Sequence, residues 1–179
     1  MANLLKATAT GRRAATIDNI RAAFAALRPA ASDGCFVFVT SHGAPRRGLV
    51  LAREDGFLAP PELGALLAGA CGAHPTVVIA SGCFSGSFAE GRAMPAPNRV
   101  ILTAARDDRP SFGCNADRKY TVFDGCVLAN LEQGASWSTV MGRIRSCVTG
   151  SERALGIRSP SGPQLSIGPG AGKLLAFPR

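Results

Sequence analysis

Two unbroken apolar stretches stand out along the chain, Phe36-Val37-Phe38-Val39-Thr40 and Thr76-Val77-Val78-Ile79-Ala80. Each has strand length, and strands buried on both faces in a parallel sheet read as continuous apolar runs rather than as alternation. The first runs into Ser41-His42-Gly43, the second into Ser81-Gly82-Cys83. A third run, Arg99-Val100-Ile101-Leu102-Thr103, has the same character. Around these strands the apolar positions fall at helical spacing. Ile17, Ile20, Phe24 and Leu27 predict a helix over 15–27, stopped by Pro29. Pro60-Pro61 open a second helix through Leu63, Leu66, Leu67 and Ala70, closed by Gly72. Residues 120–133 and 136–148 predict two more. Residues 48–52 and 56–58 predict a short hairpin, a short helix falls near Phe88, residues 104–119 form a polar loop, and residues 164–167 a last short strand.

Strands alternating with helices predict an α/β fold, a three-layer α/β/α sandwich around a mostly parallel sheet. No internal repeat or second domain is visible, so residues 1–179 form a single domain. In open α/β sheets, ligand sites lie beyond the carboxyl ends of the strands. The pattern therefore places the imidazole of His42 and the thiol of Cys83, 41 residues apart, at one edge of one sheet.

Composition narrows the function classes. The net charge is +8, with 17 Arg among the 20 basic residues, but these are scattered and aromatics are only 6%. A nucleic-acid binder gathers its charge on one face, often with stacking aromatics, so no nucleic-acid partner is expected. No apolar run approaches the ~20 residues of a membrane span. Residues 1–20 carry Lys6, Arg12, Arg13 and Asp18 with no continuous apolar core, unlike a secretory signal. The six Cys show no C-x-x-C spacing and only His42 and His74 could join them, so neither a metal nor another cofactor is expected. The chain is long and apolar enough to fold without a disulfide framework, and most of its Cys read as small buried residues of a reducing compartment.

Several nucleophile motifs fail. Both His residues precede Cys83, whereas an α/β-hydrolase places its His after the nucleophile and a papain-like enzyme has its Cys first. Gly82-Cys83-Phe84-Ser85-Gly86 does not fit the G-x-nucleophile-x-G elbow. Residues 168–173 (GPGAGK) lack the spacing and the following Ser or Thr of a phosphate loop and read as a surface turn.

What remains, a strand ending in His-Gly and a later strand ending in Cys and a Ser-Gly step, resembles the cysteine peptidase clan of caspases, gingipains and legumains. The closer resemblance is to the legumain (C13) family, especially its bacterial members. Ser41-His42-Gly43 and Ser81-Gly82-Cys83-Phe84-Ser85-Gly86-Ser87 carry it. So do Leu102-Thr103-Ala104-Ala105 with Phe112-Gly113-Cys114, and the Pro-Gln turn of Ser159-Pro160-Ser161-Gly162-Pro163-Gln164. The resemblance spans roughly residues 15–168.

The resemblance implies a caspase-like fold and a cysteine endopeptidase working on peptide or protein substrates. About a few per cent of a free thiol is thiolate at neutral pH, and a neighbouring imidazole or a following helix raises that fraction. Cys83 would attack the peptide carbonyl, His42 would carry the proton to the leaving amine, and the N–H groups of Gly43 and Cys83 would hold the oxyanion. Ser41, Ser81, Ser111, Phe112 and Asp124 would line the substrate pocket. Ser81 stands where plant and animal legumains have Glu, and the family's second pocket acid falls near Gly125 or Cys126, with Asp124 close by. Asp107, Asp108 and Asp117 offer a second source of negative charge, for a basic P1 residue.

Two rival readings rest on the same Cys and His: a degenerate homologue that binds peptide without cutting, and a transamidase or ligase. A basic nucleic-acid-binding module is a third. The family's usual first strand has no counterpart before Ala15, which implies either a lost N-terminal segment or an exposed sheet edge that pairs with a partner or a second copy. Compartment follows the same fork: cytoplasmic as the chain stands, periplasmic or secreted if a segment has been lost.

Overall fold

The computed structural model describes residues 14–52, 54–114, 118–131 and 134–174. The three apolar runs are strands β1 (Cys35–Thr40), β5 (Thr76–Ser81) and β6 (Arg99–Thr103). Between the first two lie three short strands, β2 (Gly43–Ala44), β3 (Gly48–Leu51) and β4 (Gly56–Leu58), which form a separate antiparallel sheet in that order. The helices are α1 (Ile17–Ala25), α2 (Pro60–Cys71), α3 (Val122–Asn130) and α4 (Trp137–Ala154). Strand β7 (Gln164–Ile167) completes the main sheet, ordered β1-β5-β6-β7, with β1, β5 and β6 parallel and β7 antiparallel to β6.

Side chains alternate across the pleat, so each central strand feeds two cores. Val78, Ala80 and Ile101 pack with Phe24 of α1 and with Leu63 and Leu67 of α2. Ile79, Val100 and Leu102 pack on the opposite face with Phe123 and Val127 of α3 and with Val140, Met141 and Ile144 of α4. This is the three-layer α/β/α sandwich of the caspase-like type. Among the described residues, β1 pairs with β5 alone. The expectation of an earlier strand concerns residues before Ala14, outside the described ones.

Helix α4 outruns its expected end at 148 by a turn and a half. Its buried stripe, Val140, Met141, Ile144 and Val148, continues to Glu152, a polar residue only 2% exposed. A Glu in a core position hides the continuation from any reading of apolar period.

The cysteine expectation is corrected. Cys35 is disulfide-bonded to Cys71 and Cys126 to Cys147, with Cα–Cα distances of 6.1 and 5.7 Å; Cys83 and Cys114 are free. The first bond joins the start of β1 to the end of α2, and the second joins α3 to α4. Both pairs meet only through tertiary packing, which spacing along the chain does not reveal. Among the described residues, no helix is long and apolar enough to cross a membrane, and no three His, Cys, Asp or Glu gather as a metal site.

Candidate active site

Register brings the two motifs together. Cys35 pairs with Thr76 and each following residue pairs in step, up to Thr40 with Ser81. The ladder runs one bond further, from the Ser41 N–H to the Ser81 carbonyl at 3.1 Å. The two chains then leave the sheet side by side as His42-Gly43 and Gly82-Cys83. Their backbones touch: a Cβ on Gly43 would stand 1.9 Å from the Cys83 carbonyl oxygen, and one on Gly82 would stand 2.5 Å from that of Ser41. Only glycine allows main chains this close.

Beyond Cys83 the chain turns through Phe84, whose φ of 58° lies in the left-handed region. A bulky residue there costs on the order of 1–3 kcal/mol and persists only where its surroundings hold it. The Phe84 N–H donates to the Arg109 carbonyl at 2.8 Å. A short 3-10 turn follows, Ser85–Phe88, in which Ser85 Oγ accepts from the N–H groups of Ala104 and Ala105 at 3.1 and 3.3 Å. Gly86 lies so close to the same loop that a Cβ would stand 2.3 Å from the Asp107 nitrogen. The loop after β6 thus wraps the Cys83 turn.

That loop delivers Ser111 to the thiol. The Ser111 N–H donates to Cys83 Sγ at 3.3 Å, while the Ser111 carbonyl and hydroxyl oxygens lie 3.5 and 3.7 Å from the sulfur. An N–H facing sulfur is a donor that a thiolate can accept from. Among the described residues, no backbone carbonyl accepts from the Cys83 N–H itself.

His42 is exposed at the mouth of the site. Its carbonyl accepts from the Val50 N–H at 2.7 Å, and Ser41 Oγ donates to the Val50 carbonyl at 2.7 Å, so β3 grips the His segment. The Ser41 hydroxyl is therefore already engaged, and Ser81 is 1% exposed at the end of β5.

Asp124, 8% exposed in the first turn of α3, faces the same sheet edge. Its Oδ2 accepts from Thr40 Oγ1 at 3.4 Å, its N–H is capped by Thr121 Oγ1 at 3.0 Å, and its buried Oδ1 has no partner. Cys114 is coupled to both groups. Cys114 is an exposed residue, yet partial burial of its thiol pushes it up, and the Cys83 and Asp124 charges push the same way. Phe112 is half-buried against the α3–α4 core and accepts the Val122 N–H at 3.0 Å. Asp108, by contrast, is gripped by the Arg106 guanidinium through two bonds of 2.8 and 3.1 Å, which holds its carboxyl below the usual range. Asp117 lies outside the described residues.

Thr40 and Arg109 carry no sequence signal of their own. A Thr at a strand end and an Arg in a polar loop are ordinary until the fold shows what they touch.

A family model described as Peptidase C13 family matches residues 10–148. A comparison with curated proteins finds no match. The matched span contains both strand ends, the Cys83 turn, the Ser111 loop and α3. The chain belongs to the Peptidase C13 family and is a legumain-like cysteine peptidase.

Proposed function

We propose that the chain is an endopeptidase in which Cys83 is the nucleophile and His42 the proton carrier. The parallel register that sends His42-Gly43 and Gly82-Cys83 off the sheet in contact carries this reading. Cys83 Sγ attacks the carbonyl carbon of the scissile bond, and the oxyanion that forms is held by the N–H groups of Gly43 and Cys83. The tetrahedral intermediate collapses to a thioester as His42 protonates the leaving amine. Water, deprotonated by His42, attacks the thioester, releases the carboxylic acid and restores the thiol.

Asp124 selects the P1 side chain in this reading. A buried carboxylate oxygen without a partner is costly and calls for a donor. The P1 residue that satisfies it carries N–H groups, either the Asn amide or a basic side chain. The two disulfides support work in an oxidising compartment, since such bonds persist there and are rare in reducing ones.

The test is labelling with peptidyl acyloxymethyl ketones bearing Asn, Asp, Arg or Lys at P1, read by mass spectrometry. Modification at Cys83, lost in His42→Ala and strongest for one donor-bearing P1, is the expected result. Well-folded protein that hydrolyses peptides equally well as Cys83→Ala would reject the reading. Amide transfer to an added amine in preference to water would replace hydrolysis with ligation.

A further inference from the structure

Arg109 is tied at both ends. Its main-chain carbonyl accepts the Phe84 N–H at 2.8 Å, directly after the nucleophile. Its guanidinium Nη1 donates to Ser159 Oγ at 2.9 Å and to the Pro160 carbonyl at 3.2 Å, in the turn after α4. That turn is itself anchored. The Ser161 N–H donates to both carboxylate oxygens of Glu152 at 3.2 Å, and the Ser161 carbonyl accepts from the Arg106 N–H at 2.9 Å. Glu152 is buried in α4. A continuous set of bonds therefore runs from the interior of α4, through the 159–162 turn and residues 106–111, to the left-handed Phe84 and the Ser111 N–H that faces the thiol.

We propose that Arg109, braced on the Glu152-anchored turn, is a positioning residue that holds the Cys83 thiol in its reactive place. The Phe84 carbonyl is held only within its own turn, by the Ser87 N–H at 3.4 Å and the Ser87 hydroxyl at 3.1 Å, so the Arg109 carbonyl is the bond that ties left-handed Phe84 to the loop after β6, and a strained residue relaxes when its restraint goes. Loss of the brace lets residues 109–111 drift, which takes the Ser111 N–H away from the sulfur and turns the Cys83 N–H out of line with the substrate carbonyl. The inference rests on Cys83 being the nucleophile.

The experiment measures Cys83 alkylation by iodoacetamide between pH 6 and 9, resolved by peptide mass spectrometry, alongside kcat and KM for a peptide substrate. The proteins are wild type, Arg109→Ala, Arg109→Lys and Ser159→Ala. Arg153→Ala on exposed α4 surface is the control for loss of one positive charge. Losing a hydrogen bond to a charged group corresponds to about tenfold in rate. Arg109→Ala is expected to alkylate about tenfold more slowly and to lose kcat with KM little changed, and Arg109→Lys to share the defect, because a shorter single-nitrogen side chain keeps the charge without the brace. Ser159→Ala, which leaves Arg109 in place, is expected to show a smaller loss, and it reads the brace if Arg109→Ala does not fold. Wild-type alkylation in folded Arg109→Lys, or a loss in Arg153→Ala equal to that in Arg109→Ala, overturns the proposal. Because alkylation needs no peptide cleavage, the brace is read even where Cys83 proves not to cut peptides.

Discussion

Gly43 and Cys83 are in main-chain contact: no Cβ fits at Gly43, because it would fall 1.9 Å from the Cys83 carbonyl oxygen and 3.2 Å from its nitrogen. Gly43, the neighbour of the proposed proton carrier His42, and Cys83, the proposed nucleophile, are thereby locked to one another without any side chain between them. Gly43→Ala must push the two strand ends apart. A displacement near 1 Å costs about a hundredfold in rate, so kcat/KM is expected to fall at least that far, with a lower melting temperature. Gly142→Ala provides the contrast, since its Cβ meets nothing within 4 Å on exposed α4. It should raise stability by about 0.5–1 kcal/mol through helix propensity alone. Equal effects from the two substitutions would show that the contact is not tight.

The exposed imidazole of His42 makes a clean test of chemistry against folding. His42→Ala removes no buried packing, so its melting temperature should match wild type within a degree or two. General acid–base catalysis contributes roughly 10²–10⁴-fold, and kcat should drop by that amount. A fully active variant would place the proton carrier elsewhere.

Asp124→Asn separates the two kinds of donor at P1. An amide keeps one acceptor but loses the charge that pairs with a cation. For a substrate with Lys or Arg at P1, kcat/KM should fall about tenfold or more, since charge-assisted bonds are roughly twice as strong as neutral ones. For Asn at P1 the fall should be smaller. Unchanged kcat/KM for every substrate would remove Asp124 from the pocket.

The two free thiols should differ in reactivity. Burial raises the Cys114 thiol above its ordinary range, with Cys83 and Asp124 adding to the shift. A raised value means less thiolate at neutral pH, and only the thiolate is alkylated. Iodoacetamide at pH 7 should therefore label Cys83 before Cys114, with Cys114 catching up as the pH rises. Preferential labelling of Cys114 at pH 7 would contradict this order.

The Cys126–Cys147 bond pins α3, which carries Asp124, to α4, which carries Glu152. It closes a loop across a sequence separation of 21 residues. Such a cross-link contributes about 3 kcal/mol by loop-closure entropy. In a chain of this size that corresponds to a melting temperature about 10 °C lower in the double variant Cys126→Ser/Cys147→Ser. Calorimetry of wild type and variant reads it directly, and coincident transitions would mean the bond adds nothing.

The main-sheet strands, the four helices and the place of His42 and Cys83 at strand ends were legible from the chain alone, whereas the two-residue strand β2, too short to show a period, was not. Apolar runs, helical spacing and proline or glycine stops are local properties, and they survive folding because each element buries the face its own pattern presents. The motifs from Ser41 to Gly43 and from Ser81 to Ser87 were readable for the same reason. What only the tertiary structure decided are relationships across distance. The register that sets Gly43 on Cys83, the Thr40–Asp124 contact and both disulfides join residues that periodicity treats as unrelated. So does the path from Glu152 through Arg109 to Phe84. A buried Glu, a loop Arg and a pair of cysteines look ordinary in one dimension; only packing, which chooses neighbours by shape and unmet hydrogen bonds, gives each its role.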